Sequence, residues 1–397
     1  MSDTEKVFSY PFGEPEQLLL HPDYAKMQAL PGLARVKLPY GREGWLATKY
    51  EDVHKILTDT RFSRELAIAN DEPRMYPGHL EMGMLDMDPP AHTRIRQIVA
   101  SAFTPRRTEQ LRPRAVELAD DLIDTLLAGP RPADLVEGFT RPLPVVVISE
   151  MFGLPTDDRA YFAELAEAVT TTTRLTPEQI GEYLQQLWDY LAGVIAQRRK
   201  EPQDDALTAL VQASDSDQMT EHEIAQIAAG QLAASYETTA NELASFFFAL
   251  LHNPEQMDHL WMNPSMIKRA VEELLRFCPM SSASLFARYA TEDVVIGGTL
   301  IRAGEQVLAS LIAANKDETV YQDPGSLNLN VERKPHLAFG SGVHRCLGTG
   351  IARMVLQVGL STIVRRMPGL RLAIPESELE WRTEALMRGL KHIPVTW

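Results

Sequence analysis

The feature that most restricts the architecture is one unbroken helical pattern of about thirty residues. It opens at Thr220-Glu221-His222-Glu223, a capping box in which the Thr220 hydroxyl and the Glu223 carboxylate reciprocally satisfy free amides. Apolar periodicity then continues to about Leu251, ahead of the Asn253-Pro254 stop. At 1.5 Å per residue such a helix spans roughly 45 Å, enough to cross the molecule. Its middle is unusual, because Ala228-Ala229-Gly230 and Ala233-Ala234-Ser235 are small where a core helix carries bulk. Small residues suit either a closely packed helix or something large and flat, and the pattern alone leaves both open.

Around this helix the reading from Pro90 to Phe277 is overwhelmingly helical, with apolar i, i+3, i+4 spacing in Ala115–Leu127, Arg159–Val169, Pro177–Arg198 and Asp205–Gln212. A strand–turn–strand signal, Ala34–Leu38 and Gly44–Ala47, and a short helix, Glu51–Leu57, come earlier. Arg64–Met87 lacks periodicity and reads as a long loop. A helix at Pro264–Phe277 precedes strand-like Asp293–Ile296 and Gln306–Ser310, and a last helix runs from about Gly348 to Arg366. The class is mainly α with small β-sheets (α+β). No linker interrupts the 397 residues, so a single domain is expected: a β-rich part over about 30–60, a helical core over about 90–280, and a closing part over about 281–397.

Composition removes several functions. Thirty-nine Lys and Arg against 54 Asp and Glu give a net charge of −15, the wrong sign for a nucleic-acid binder. The most apolar stretches, Pro142–Leu154 and Phe246–Leu251, fall short of the roughly 20 residues that cross a bilayer, and the polar N-terminus is no secretory signal. A cytoplasmic protein with no membrane and no nucleic-acid partner is expected. Two cysteines, Cys278 and Cys346, exclude a disulfide framework and CxxC zinc sites.

Chemistry concentrates in Phe339-Gly-Ser-Gly-Val-His-Arg-Cys346-Leu-Gly348, a glycine-rich loop that delivers one cysteine to the start of a helix. Gly340 and Gly342 permit positive φ and close backbone approach, and free amides of the following helix favour a thiolate. Gly348 removes a side chain where a planar group would rest. Such a loop can present sulfur as an axial metal ligand, or it is a turn around an inert cysteine. Gly340-x-Gly342 is no dinucleotide fingerprint, because Arg345 stands where the third glycine belongs and no strand–turn–helix frames it.

This stretch resembles in full the haem-binding loop of the cytochrome P450 superfamily, in its soluble bacterial, actinomycete-like class. The resemblance makes Cys346 the thiolate ligand of haem b iron and places Phe339, Gly340 and His344 at the cofactor. Three further signatures follow in the family's order. Glu273-Leu-Leu-Arg276 resembles its Glu-x-x-Arg pair, joined by an arginine that corresponds to Arg333. Ala234-Ser-Tyr-Glu237-Thr238-Thr239 resembles its oxygen-activation segment, with Glu237 and Thr238 as the acid–alcohol pair; Ser235 departs from the family's usual glycine. Asp88-Pro-Pro-Ala-His92-Thr-Arg-Ile-Arg96 resembles the helix start beside the haem propionates, a role shared with Arg288.

The resemblance implies one haem-thiolate monooxygenase domain, with haem between the long central helix and the Cys-loop helix. It implies oxidation of a small-molecule substrate (hydroxylation, epoxidation or oxidative coupling) with electrons from a separate ferredoxin and ferredoxin reductase. Six arginines against one glutamate between residues 92 and 114, with Arg345, Arg353, Arg365 and Arg366, suggest a basic face for an acidic ferredoxin. The family's pocket lining falls on Arg64–Met87, on Ala233, Ala234 and Tyr236–Thr238, on Ser281–Leu285 (with Ser282, Ser284 and Leu285 as its named positions) and on Leu386–Met387, and Thr170–Thr173 falls in its lid connection. Ser281, Ser282 and Ser284 point to a medium-sized, heteroatom-bearing substrate, such as a secondary metabolite. A peroxide-driven peroxygenase and a non-catalytic haem-thiolate sensor are the alternatives; the acid–alcohol pair favours the monooxygenase.

Overall fold

A computed structural model describes the chain except residues 1–5, 14–15, 76–82, 169–174, 216–218, 282 and 383–386. The chain opens with β1 (Val7–Ser9), α1 (Asp23–Ala29), β2 (Ala34–Lys37), β3 (Gly44–Ala47) and α2 (Tyr50–Thr58). Next come β4 (Phe62–Ser63), α3 (Glu65–Ala69), α4 (Ala91–Ala100), α5 (Pro105–Ala128) and β5 (Ala133–Asp134). A run of helices follows: α6 (Pro142–Phe152), α7 (Arg159–Ala168), α8 (Pro177–Lys200), α9 (Ala206–Asp215), α10 (Glu221–His252), α11 (Pro254–Met262) and α12 (Ile267–Phe277). Then come β6 (Arg288–Ala290), β7 (Val294–Ile296), β8 (Thr299–Ile301), β9 (Gln306–Ala309) and α13 (Leu311–Ala314). The chain closes with α14 (Thr349–Arg366), β10 (Arg371–Leu372) and β11 (Pro394–Thr396). Mainly α with small sheets is therefore what the residues build.

These elements form two compact units, Met1–Thr93 with Glu272–Cys346, and Arg94–Val271 with Leu347–Trp397. In the first, six strands pair in the order β1-β2-β3-β9-β6-β4, and β7 pairs with β8 as a hairpin. Its apolar cores join Val53, Ile56, Phe62, Ile296, Val307 and Leu337 on one side and Tyr10, Val36, Leu46, Ala287 and Leu308 on the other. The alternation of β2, buried at Ala34 and Val36, is the period-2 pattern of a strand with one covered face.

The second unit is helical, with a small sheet β10-β11-β5. Its axis is α10, 32 residues long and capped by Thr220 and Glu223 as the sequence indicates. From Thr239 to Leu250 every residue of α10 is buried. Gly359 on α14 lets that helix approach, since a Cβ there would stand 2.9 Å from Leu243 and 3.2 Å from Leu143.

Several boundaries differ from the periodic reading. α5 begins ten residues before Ala115, capped by Thr104 and started by Pro105, and it carries Pro113 inside, which disguised it. The Arg64–Met87 loop contains α3 and a 3₁₀ turn at Gly83–Asp86, too short to register as periodicity. Among the described residues no helix is long and apolar enough to cross a membrane.

Candidate functional site

In the first unit the cysteine loop is closed on itself. The Gly340 amide donates to Leu337 at 2.8 Å and the Cys346 amide to Phe339 at 2.9 Å. Gly340 and Gly342 have φ of +66° and +70°, and a Cβ at 342 would fall 2.0 Å from the Leu57 carbonyl oxygen, so that position admits only glycine. The loop thus presents Cys346 exposed, whereas Cys278 is buried.

His92, His344 and Arg288 gather in the same unit. His92, in the first turn of α4, is 1% exposed, and its ring lies 4.4 Å from that of His344. Arg96 follows one turn on along α4 and is half-buried. Arg288, on β6, is buried with no carboxylate in ion-pair distance among the described residues. The nearby acids are committed elsewhere. Arg64 pairs with Glu72 and, at 3.1 Å, with Asp86, and Asp88 accepts from Ser63 and from the Arg64 amide. Burial, and then the Arg64 charge, pushes the Arg288 guanidinium down to about 10. A buried cation left without an anion marks a place for a negatively charged ligand group.

The Glu273-x-x-Arg276 pair is buried here. Glu273 accepts from Arg276 at 2.8 Å and from Arg333 at 3.0 Å, while Arg276 also reaches the carbonyls of Asn315 and Pro324. The surface-pair interpretation of that spacing is excluded.

In the second unit, α10 resolves the ambiguity of its small residues. Ala228 and Ala229 are buried as packing residues, but Gly230 and Ala234 are exposed, Ala233 and Thr238 half-buried, and nothing lies within 4 Å of a Cβ placed on Gly230. Positions 230, 234 and 238 share one face, so a partly accessible stripe of small residues runs along the middle of α10. Thr238 stands on it and donates to the Ala234 carbonyl at 2.6 Å. Glu237 is 3% exposed and pairs with Arg382 at 3.4 Å.

Arg382 is a residue that sequence reasoning missed. It lies 145 positions from Glu237, and no local pattern announces a partner so distant. The Arg382 amide donates to Gly389 at 2.8 Å, and Met387 nearby in sequence is half-buried. Gly389 approaches α10 so closely that a Cβ there would stand 2.3 Å from Asn241.

Other expected positions separate. Leu285 is half-buried, and Ser282, Leu386 and Thr170–Thr173 lie outside the described residues. Ser284 is buried in a network with Tyr10, whose hydroxyl donates to it at 2.9 Å, and Ser281 donates to Ala283 at 2.8 Å. These two hydroxyls are occupied by the protein, which weakens the argument from them to a polar substrate. The basic face is also more neutralised than a local count suggests. Arg112 pairs with Glu109, Arg114 with Glu117 and Glu150, Arg107 with Asp204, and Arg365 and Arg366 with Asp120. Arg106 is exposed and has no ion pair among the described residues.

The family model described as "Cytochrome P450" matches residues 176–263 and 261–368. Nocardicin C N-oxygenase of Nocardia uniformis subsp. tsuyamanensis is 47% identical over 98% of both chains. Mycinamicin IV hydroxylase/epoxidase of Micromonospora griseorubida is 44% identical, again over 98% of both. The solved structure of the mixed-function P450 MycG superposes with a TM-score of 0.93 at 44% identity, covering 99% of this chain and 100% of that one. With fold, motifs and full-length relatives in agreement, the chain belongs to the cytochrome P450 family, and it is a monooxygenase of that family with a haem-iron cofactor.

Proposed function

We propose that the chain is a single haem b domain that inserts one oxygen atom of O2 into a medium-sized natural product bearing heteroatoms, with electrons from a ferredoxin and its reductase. In support of one domain, α4 and α12 each run unbroken from one compact unit into the other. The residues present fit haem: an exposed cysteine on a closed loop to hold iron, and a buried cation, Arg288, lacking an anion that a propionate would supply. Cys346 would hold the haem iron, with His92, Arg96, Arg288 and His344 for the propionates and Phe339 and Gly340 shaping the loop beside the sulfur. The Glu273–Arg276–Arg333 cluster would brace the loop's own unit. When bound, haem supplies the redox-active iron at which O2 is activated.

The protein's part is to place substrate and deliver protons. Thr238 Oγ1, already donating to Ala234, keeps its lone pairs for an incoming proton, and the Glu237 carboxylate behind it is held by Arg382. This buried, ion-paired acid beside an accessible hydroxyl carries the monooxygenase reading, because a peroxide-driven enzyme or a sensor needs neither group. Ala233, Ala234, Ser282, Ser284, Leu285 and Met387 remain the proposed pocket positions. The substrate class rests on the relatives, whose names describe oxidation of nocardicin C and of mycinamicin IV. With the Ser281 and Ser284 hydroxyls hydrogen-bonded within the protein, those two positions add little to it.

The carbon monoxide complex of the reduced, haem-loaded protein tests the ligand. A Soret band strongly red-shifted from that of histidine-ligated haem, lost in Cys346→His, is expected; a histidine-like band in folded wild-type protein would refute the assignment. Spin-state shifts on adding macrolide and β-lactam candidates then rank substrates, and tighter binding by a long alkane or fatty acid would overturn the substrate class.

A further inference from the structure

A second carboxylic acid stands on α10, one turn beyond Thr238. Glu242 is 5% exposed and, among the described residues, makes no hydrogen bond and no ion pair. The two acids of this helix sit in opposite surroundings. Glu237 is ion-paired with the Arg382 guanidinium, whereas no cation lies within ion-pair distance of Glu242 among the described residues. Burial alone pushes the Glu242 carboxyl well above the usual carboxylate range. A buried carboxyl held in its acid form one turn from a hydroxyl is placed to act as a proton donor.

Position supports the same role. Residues 238 and 242 share a helix face, and long helical side chains lean toward the N-terminus, which aims the Glu242 carboxyl along the turn that holds Thr238 and Thr239. Both threonines donate their only proton backward, to the carbonyls of Ala234 and Ser235, and keep acceptor lone pairs. A protonated carboxyl has the complementary need, one O–H with nothing to receive it. The helix around Glu242 is deeply buried, with Leu243, Phe246 and Phe247 fully covered and Asn241 and Ser245 nearly so. An ionisable group kept at that depth points to function.

We propose that Glu242 is a second proton-holding residue of the oxidation, passing its proton through one water to Thr238. The proposal rests on the monooxygenase reading above. Each turnover takes one O2, two electrons from the ferredoxin and two protons, and yields the oxygenated product and one water. In the transfer the Glu242 O–H bond breaks, the bridging water takes that proton and gives one of its own to Thr238 Oγ1, and Thr238 passes its hydroxyl proton into the pocket. The Glu242 carboxylate is then reprotonated from solvent before the next turnover.

The test uses haem-loaded full-length protein, wild type beside Glu242→Gln, Glu242→Asp and Glu242→Met. Infrared difference spectra at neutral pH should show a carbonyl band of a protonated carboxylic acid that is shifted by D2O and absent from Glu242→Gln. With NADPH, a plant-type ferredoxin and its reductase, peroxide released per O2 consumed should rise several-fold in Glu242→Gln and Glu242→Met and return toward wild type in Glu242→Asp. Glu242→Met should unfold at an equal or higher temperature, which separates proton supply from a structural role. No acid band attributable to Glu242, or an unchanged peroxide share in Glu242→Gln, overturns the proposal while leaving the monooxygenase reading intact. Wild-type protein with the thiolate Soret band that nonetheless reduces no O2 overturns both.

Discussion

Glu273 and Arg276, one turn apart on α12, face each other through two hydrogen bonds of 2.8 Å with side chains only 4% and 1% exposed. At that depth the pair is part of the core, and removing one partner strands the other. Arg276→Met is expected to cost about 3–5 kcal/mol of unfolding free energy. Arg333→Met, which leaves the two-bond pair intact, should cost about 1–3 kcal/mol. Urea unfolding of the two variants checks both the sizes and their order.

Thr238→Ala removes the hydroxyl that stands on the partly accessible stripe of α10. Product formation should fall on the order of 100-fold while oxygen consumption continues and peroxide accumulates. Parallel oxygen-electrode and product measurements decide it, and a peroxide-driven turnover left at the wild-type rate would instead favour the peroxygenase.

Arg106 is exposed and carries no ion pair among the described residues, unlike Arg107, Arg112 and Arg114. Arg106→Glu should slow reduction by an acidic ferredoxin by about tenfold at low ionic strength, with the difference closing as salt approaches 1 M. Equal stopped-flow rates at low salt would remove Arg106 from the docking face.

Lys316 gives a pH-dependent stability. Burial, and then the Arg276 charge, pushes its ammonium down to about 7, with Cys278 and Glu273 acting in the opposite direction; the cation lies 3.7 Å from the Phe277 ring centre. Between that value and the ordinary 10.5 the unfolded chain binds a proton that the folded chain does not. Stability therefore rises with pH across the window, and below it the penalty is constant. Lys316→Met should be the more stable protein near pH 6 and should lose the rise, as read from urea midpoints at about pH 6 and about pH 9.5.

What the residues disclosed in advance was whatever is encoded locally. The Thr220–Glu223 box, the periodicity of α10 and the glycine spacing before Cys346 are each written within a few positions, and each appears where the pattern puts it. The misses are pairings between distant segments. Arg382 meets Glu237 across 145 positions, Tyr10 takes the Ser284 hydroxyl across 274, and Asp120 reaches Arg365 from another helix. A charge or hydroxyl count along the chain sees donors without the acceptors that folding brings to them. Short elements inside Arg64–Met87 escaped for a different reason, since five residues of α3 cannot establish a period.

Gly342, pressed against the Leu57 carbonyl, sets a boundary on how a chain of this kind can diversify. The loop that offers the sulfur is keyed to the end of α2, so exchanging the residues around Met387 or the 281–285 segment leaves that fit untouched. On the proposed pocket assignment, new substrates can be explored by rewriting those surfaces, while any side chain at 342 would first have to move the backbone that carries the cysteine. The cysteine loop and the proposed pocket positions are therefore free to evolve at different speeds within one sequence.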